Sequence, residues 1–424
     1  MMTISEKFPR YTEHDPLVPT WCVTPDAGGS IHRFFDTSPI SPSGRYLAVF
    51  RMPFEDRQPG PGDAGEVCII DLAEGTEKIV AKSCGWEPQM GANINWGADD
   101  HTLFFNDVDT TTWKPFAWKL DPVSGSRVRM DGTVYHASPD GRWLISANMS
   151  TMRKTQPGYG VRIPDEQVRW NKGPSADDGF FITDTSSGRS RLLISIRDML
   201  ERAAPRVNIG DASQYEIYGF HSKFNPQGTR LMLSLRWFPF HDTPRFNMFA
   251  EAYKEVRYAW VTIGVDGSEP HCAVGPEQWE KGGHHATWFP DGRHISMNLN
   301  IDRDVLRFVQ VHEDGTALRK IRDDLIGSGH PTIHPNGRHL LTDTYTKEKT
   351  AFGDGTIPLR WIELATGNEV CAVRINAAQP CPDAVMRIDP HPAWDRTWRY
   401  VTFNAFVGGT RRVFVADFGD MLKQ

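Results

Sequence analysis

Long apolar runs are missing from this chain of 424 residues. No stretch approaches the ~20 consecutive apolar residues that a membrane-spanning helix needs, and the opening segment MMTISEKFPRYTEHDP has no apolar core of secretory-leader length. Cysteine is scarce: the six residues Cys22, Cys68, Cys84, Cys272, Cys371 and Cys381 show no C-x-x-C spacing and read as small apolar strand residues, which points to a reducing cytoplasm. An excess of one charge is also lacking. The 47 basic and 53 acidic residues are interspersed and leave a formal net charge of −6, so neither a nucleic-acid footprint nor a membrane-surface patch is expected. With 37 Gly and 30 Pro in the chain, long helices are not expected either.

What the chain has instead is a repeat. An apolar strand closed by a Pro/Asp/Asn-Gly turn and followed by a second strand occurs in DTSPISPSGRYLAVF, NINWGADDHTLFF, VYHASPDGRWLIS, HSKFNPQGTRLMLSL, HATWFPDGRHISMNL, HPTIHPNGRHLLTDT and HPAWDRTWRYVTFNA. The turn positions are Gly44, Asp100, Gly141, Gly228, Gly292, Gly337 and Trp398. Each unit continues through a third strand and a turn rich in Asp and Gly, as in VCIIDLAEGTEKIVAK or WVTIGVDGSEPHCAV. Seven such four-stranded antiparallel units predict an all-β, seven-bladed β-propeller occupying residues 1–424 as one domain. The last unit lacks a fourth strand, and residues 20–27, TWCVTPDA, are expected to supply it from the N-terminus, removing a free sheet edge.

In a propeller the first strand of every blade lines the central channel. Seven residues before each turn stand Thr37, Asn93, Val134, His221, His285, His330 and His391, so the last four blades place histidine at one register and four imidazoles ring one mouth. Histidine there can simply satisfy a backbone group of the repeat. Converging neutral imidazoles also suit a divalent transition metal, Mn, Zn, Ni or Fe, and Asp389 stands two residues before His391 to add an oxygen ligand. The second strands end in Arg51, Asn106, Asn148, Arg236, Asn298, Asp343 and Asn404 on the same face, a polar set suited to an anionic, hydroxyl-rich ligand or simply to water. Three long connections lie there too, and Arg153, Lys154, Tyr159, His241 and Arg245 on them are candidates for a wall over the funnel.

The histidine-led blades HATWFPDGRH, GHPTIHPNGRHLLTD and DPHPAW, with HSKFNPQG and the QPGYG loop, resemble the seven-bladed propeller polysaccharide lyases, among them the oligogalacturonate lyases and the ulvan-lyase-like propellers. That resemblance implies a metal-assisted β-elimination on an anionic, uronate-containing oligosaccharide. It implies a divalent metal, Mn or Zn, held by His285, His330, Asp389 and His391, with His285 alternatively the base. It also implies catalytic roles for His221, Arg236 and His136, while substrate contacts are expected, from the strand-end and loop positions above, of Arg51, Asn148, Tyr159 and Asp343. Two positions depart from the ulvan-type pattern: Phe220 stands where a tyrosine is expected, with Tyr218 the nearest phenol, and Arg153 replaces a loop histidine. A non-catalytic propeller that binds a sugar or protein through its funnel, and a hydrolase or lactonase with metal-activated water, are the other readings.

Overall fold

The turn chemistry of the repeat dictates the hairpins of the fold. Gly44, Gly141, Gly228, Gly292 and Gly337 all adopt the left-handed conformation, with φ between 67° and 82°, and Trp398 adopts it without being glycine, at φ 56°. An aspartate locks several of these turns: the Asp291 carboxylate accepts from the N–H groups of both Arg293 and His294. The computed structural model describes residues 4–241, 255–302 and 305–423. Its strands form seven antiparallel sheets of four, six of them ordered consecutively along the chain, which is a seven-bladed β-propeller. The innermost strands of blades one to seven are Ser30–Ile31, Asn95–Trp96, His136–Ala137, Tyr215–Phe224, Gly283–Trp288, Thr332–Ile333 and Ala393–Trp394.

Blade seven takes its outer strand from the other end of the chain. Thr20, Trp21 and Cys22 pair with Ala416, Val415 and Phe414, and the ladder continues through Val23 N–H to the Val413 carbonyl at 2.9 Å. The ring therefore closes by hydrogen bonds, with no free edge at the joint. Side chains from facing sheets fill the space between blades: Phe50, Val67 and Ile69 of blade one meet Trp86, Leu103 and Phe105, all buried.

Blade one differs from the others in a way that shapes the channel. Ile31 lies opposite Phe50 and Ile40 opposite Leu47, so eight residues of the innermost strand face only two of its neighbour. The six surplus residues lie between Ile31 and Pro39, where the chain leaves the ladder and enters the channel carrying Phe34 and Phe35, 0% and 2% exposed. Beneath them Asp36 is ion-paired with Arg33 at 2.6 Å and Lys223 at 2.9 Å, all three side chains being at most 3% exposed. Burial alone would raise the Asp36 carboxyl, but the two cations hold it well below its usual value, so the ion triad stays charged. Lys223 also donates to the Ala286 carbonyl at 2.7 Å, and Arg33 to Tyr135 O.

The polar residues at the ends of the second strands do structural work. Asn106 exchanges two 2.8 Å hydrogen bonds with the backbone of Val134 in the next blade. Asn298 donates to Gly329 O at 2.8 Å, and Asn404 accepts from the N–H of His32 at 3.0 Å, again in the following blade. These three asparagines are at most 2% exposed and stitch neighbouring blades around the channel.

Deleting residues 1–30 should replace a paired ladder with an exposed strand edge and lower the melting temperature by more than about 5 °C. Thermal unfolding followed by circular dichroism checks this. A truncated protein melting with its parent would show that the joint contributes nothing.

Candidate functional site

Local backbone irregularities aim the four register histidines into the channel. In blade four, Phe220 and His221 together face a single residue of the next strand, and in blade five His285 and Ala286 do the same. Both are β-bulges, which re-aim side chains. His285 and His391 also sit at φ 55° and 50°. Before His330 the chain turns at Gly329, where a Cβ would lie 2.1 Å from the Asp343 carbonyl oxygen, so only glycine fits. The rings converge on Phe34, whose centroid lies 5.4, 6.2, 5.7 and 4.6 Å from those of His221, His285, His330 and His391.

Within this group His330, Asp389 and His391 bring one ligand atom each to within 4.8 Å of one another, and all three are buried. Asp343 fixes the His330 ring: Nδ1 lies 2.9 and 3.0 Å from its two carboxylate oxygens, while Oδ1 also accepts from the His330 backbone N–H. That arrangement keeps the proton on Nδ1 and leaves the Nε2 lone pair facing outward. Nε2 of His330 and both ring nitrogens of His391 have no hydrogen-bond partner although buried. Burial, then the neighbouring imidazoles, holds His391 far below its ordinary pKa, so it is neutral. Imidazole nitrogens without hydrogen-bond partners beside a carboxylate, one ring backed by a second carboxylate, fit a divalent cation. His285 stands beside this set, stacked on His330 at 3.9 Å, with its Nδ1 2.8 Å from the Gly329 carbonyl.

A cavity of about 710 Å³ lies beside this cluster, reached through His285 and Arg387, and is lined among others by Gln156, Tyr159, His221, Arg236, His285, Tyr345 and Arg387. Arg236 donates to Gln156 Oε1 at 2.8 Å and its guanidinium carbon lies over the Phe220 ring, 3.4 Å from the centroid. His221 is stacked on the same Phe220 at 4.2 Å; burial, then Lys223 and Arg236, keeps it neutral. Tyr345 places its hydroxyl 3.4 Å from His285 Nε2, and burial, then the Asp389 charge, pushes its pKa well above the usual phenol value. Arg387 reaches Asp389 Oδ2 at 2.9 Å and the Tyr159 hydroxyl at 3.5 Å.

Tyr159 reaches the centre because Gly158 and Gly160 flank it at φ 93° and 95°. The Gly158 carbonyl accepts from Gln89 N–H at 3.0 Å, and the Gln89 side chain donates to the carbonyls of Val385 and Arg387 at 2.7 and 3.0 Å. Arg411, buried and paired with Glu55, donates to the intervening Met386 carbonyl. Three consecutive carbonyls of the segment carrying Arg387 and Asp389 are thus held by side chains from elsewhere in the ring.

Other sequence candidates lie apart from this cavity. Asp343 is committed to His330 and is 1% exposed. Arg51 is paired with Glu66 and Glu77 on the flank of blade one, and Asn148 accepts from Ser150 at the start of its loop. His136 is at the opposite mouth, beyond Phe35, where its Nδ1 accepts from Phe224 N–H at 2.9 Å. The chain at Thr37 is displaced by the surplus of blade one, and Thr37 bonds to Arg33. Of the candidate wall, Arg153 pairs with Asp165 and Lys154 with Glu216, while His241 lies 3.9 Å from Glu255; Arg245 falls outside the described residues. Tyr218 is bound to Glu216 and is absent from the cavity wall. Sequence reasoning missed Tyr345, Arg387, Gln156 and Phe34. Alternation in RIDPH puts Arg387, Asp389 and His391 on one face of an extended chain, a signal that was available for Arg387.

No family model matches this chain, and no curated protein does. Among solved structures, oligogalacturonate lyase from Vibrio parahaemolyticus superposes with a TM-score of 0.63 at 14% identity, covering 99% of this chain and 98% of the lyase. An oligogalacturonate lyase in complex with manganese gives a TM-score of 0.64 at 13% identity over the full length of both. The fold is theirs. The β-propeller domain of the Trilobed protease from Pyrococcus furiosus, of open velcro topology, gives 0.50 at 10% identity. A manganese complex among the matches and the His330, Asp389, His391 group together point to a divalent metal.

His330→Ala and His391→Ala should each lower metal content after dialysis at least tenfold while the fold survives, since one of three donors is lost from a small site. Elemental analysis measures this, and full occupancy in both variants would return the cluster to a structural role. A pH effect follows from His136, which burial holds down to a pKa of about 3. The unfolded chain binds that proton near pH 6.5, so stability should fall as pH drops from about 6.5 towards 3. In His136→Asn, which keeps an acceptor but does not titrate, the loss of melting temperature over that window should be smaller.

Proposed function

We propose that this protein is a metal-assisted lyase that cleaves uronate-containing oligosaccharides by β-elimination. The observation that carries this reading is the convergence, on one 710 Å³ cavity, of two guanidinium groups, a neutral imidazole and a high-pKa phenol beside the His330, Asp389, His391 cluster. The oligogalacturonate lyase fold supports it. Arg236, held by Gln156 and Phe220, receives the C6 carboxylate of the substrate; neutralising that charge acidifies the C5 proton. His330, Asp389 and His391 would hold a divalent cation, Mn or Zn, which would supply Lewis-acid chemistry beside that carboxylate. His221, neutral and with Nε2 lacking a partner, accepts the C5 proton. Tyr345, which keeps its proton at neutral pH, gives it to the departing 4-linked oxygen as the C4–O bond breaks and the C4–C5 double bond forms. Tyr159 and Arg387 close the wall on the side of Asp389.

Incubation with polygalacturonate-derived oligomers should produce the ultraviolet absorbance of the new double bond. Arg236→Ala should lower turnover by about 100-fold while metal content stays at the parent level. His221→Ala should likewise reduce turnover without loss of metal. Release of reducing sugar without the double bond would indicate a hydrolase, and binding without either product a sugar-binding propeller.

A further inference from the structure

Beside the cavity just described lies a second one of about 410 Å³, and the two share Tyr258, Trp279, Gly282 and Gly283 as walls. The neck between them has no side chain along Gly282 and Gly283, and a Cβ on Gly282 would meet nothing within 4 Å. Trp279 forms its apolar side, stacked on Tyr258 at 5.0 Å and Trp260 at 5.9 Å and oriented by a hydrogen bond from its Nε1 to Gly283 O. Asn300 forms the polar side: Nδ2 donates to Lys281 O at 3.1 Å, while its buried Oδ1 has no hydrogen-bond partner and suits a hydroxyl donor. Two solvent-exposed cations flank the neck, Lys281 on the first cavity and Arg257 on the second. Among the described residues the linings of the two cavities carry the cations Arg236, Arg257, Lys281 and Arg387, the last paired with Asp389, and the carboxylates Glu280 and Glu348. Glu348 already accepts from Ser328 and Thr344.

We infer that the second cavity is a binding subsite for a further sugar unit of an acidic oligosaccharide, the unit remote from the bond to be cleaved. This rests on the proposed function for the identity of the chain. The neck lets an extended chain pass between the cavities, the aromatic wall receives a sugar face, Asn300 Oδ1 takes a hydroxyl, and Lys281 and Arg257 take carboxylates. A ligand long enough to span both cavities gains contacts that a disaccharide cannot make.

Calorimetric titration without added metal measures binding apart from turnover. The parent should bind tetragalacturonate at least tenfold more tightly than digalacturonate, and neutral maltotetraose more weakly than either. Arg257→Ala, a change at an exposed residue, and Trp279→Leu should each bring the tetramer-to-dimer ratio close to one. A parent without chain-length preference, equal binding of maltotetraose, or an unchanged ratio in Arg257→Ala would overturn the subsite. A protein that forms no double bond yet shows the ratio and its loss would refute the lyase reading and leave the subsite standing.

Discussion

The centre of a seven-bladed ring is a hole that must be filled, and in this protein six surplus residues on one innermost strand fill it. Phe34 and Phe35 enter the channel only because the strand leaves its ladder after Ile31, and the backbone that leaves has to be held by other means. Arg33, Asp36 and Lys223 provide that hold. Taking three charges out of water costs several kcal/mol per ion, which is offset only when every charge finds partners. Here Asp36 has both cations, Lys223 has the Ala286 carbonyl, and Arg33 has Asn93 as well. The partners come from blades one, two, four and five, so the plug also braces the ring from within.

The site follows from the plug. Phe34 presents apolar surface to four imidazoles, excludes water beneath them and lowers the local dielectric, and burial is the largest cause holding His221, His285 and His391 neutral. Asp343, by contrast, gives His330 a charged partner and a fixed tautomer. The same histidine type thus meets two environments within a few ångströms, one dominated by desolvation and one carboxylate-backed. The carboxylate-backed ring is the one grouped with Asp389 and His391.

The repeat made the architecture legible. Glycine at five of the seven turns, and the matching spacing at the other two, gave blade number, strand order and the N-terminal closing strand, because these depend on local backbone preference and a period. The histidine register was legible for the same reason. Blade one broke the count: SIHRFFDTSPIS contains no turn signal to reveal that eight residues face two, so Thr37 was assigned a place that the chain at His32 takes. Strand-end polarity was legible, but its purpose was not. Asn106, Asn298 and Asn404 stitch blades, whereas Arg236 at the same register opens on the cavity, and only the partner residues of the neighbouring blade separate the two cases. Tyr345 and Gln156 lie on irregular connections, where no period carries information.

Among the described residues, the cavity above Phe34 and the one below Phe35 share no wall residue. The propeller is therefore a cup and not a tube. A polymer cannot be threaded through it from one face to the other, and whatever enters must leave by the same opening. Any chain handled here is gripped near its end or draped across the rim, and each departing piece must clear the mouth before the next arrives. Successive events on one long chain would then be separate encounters, with the exchange of molecules at a single doorway setting their pace.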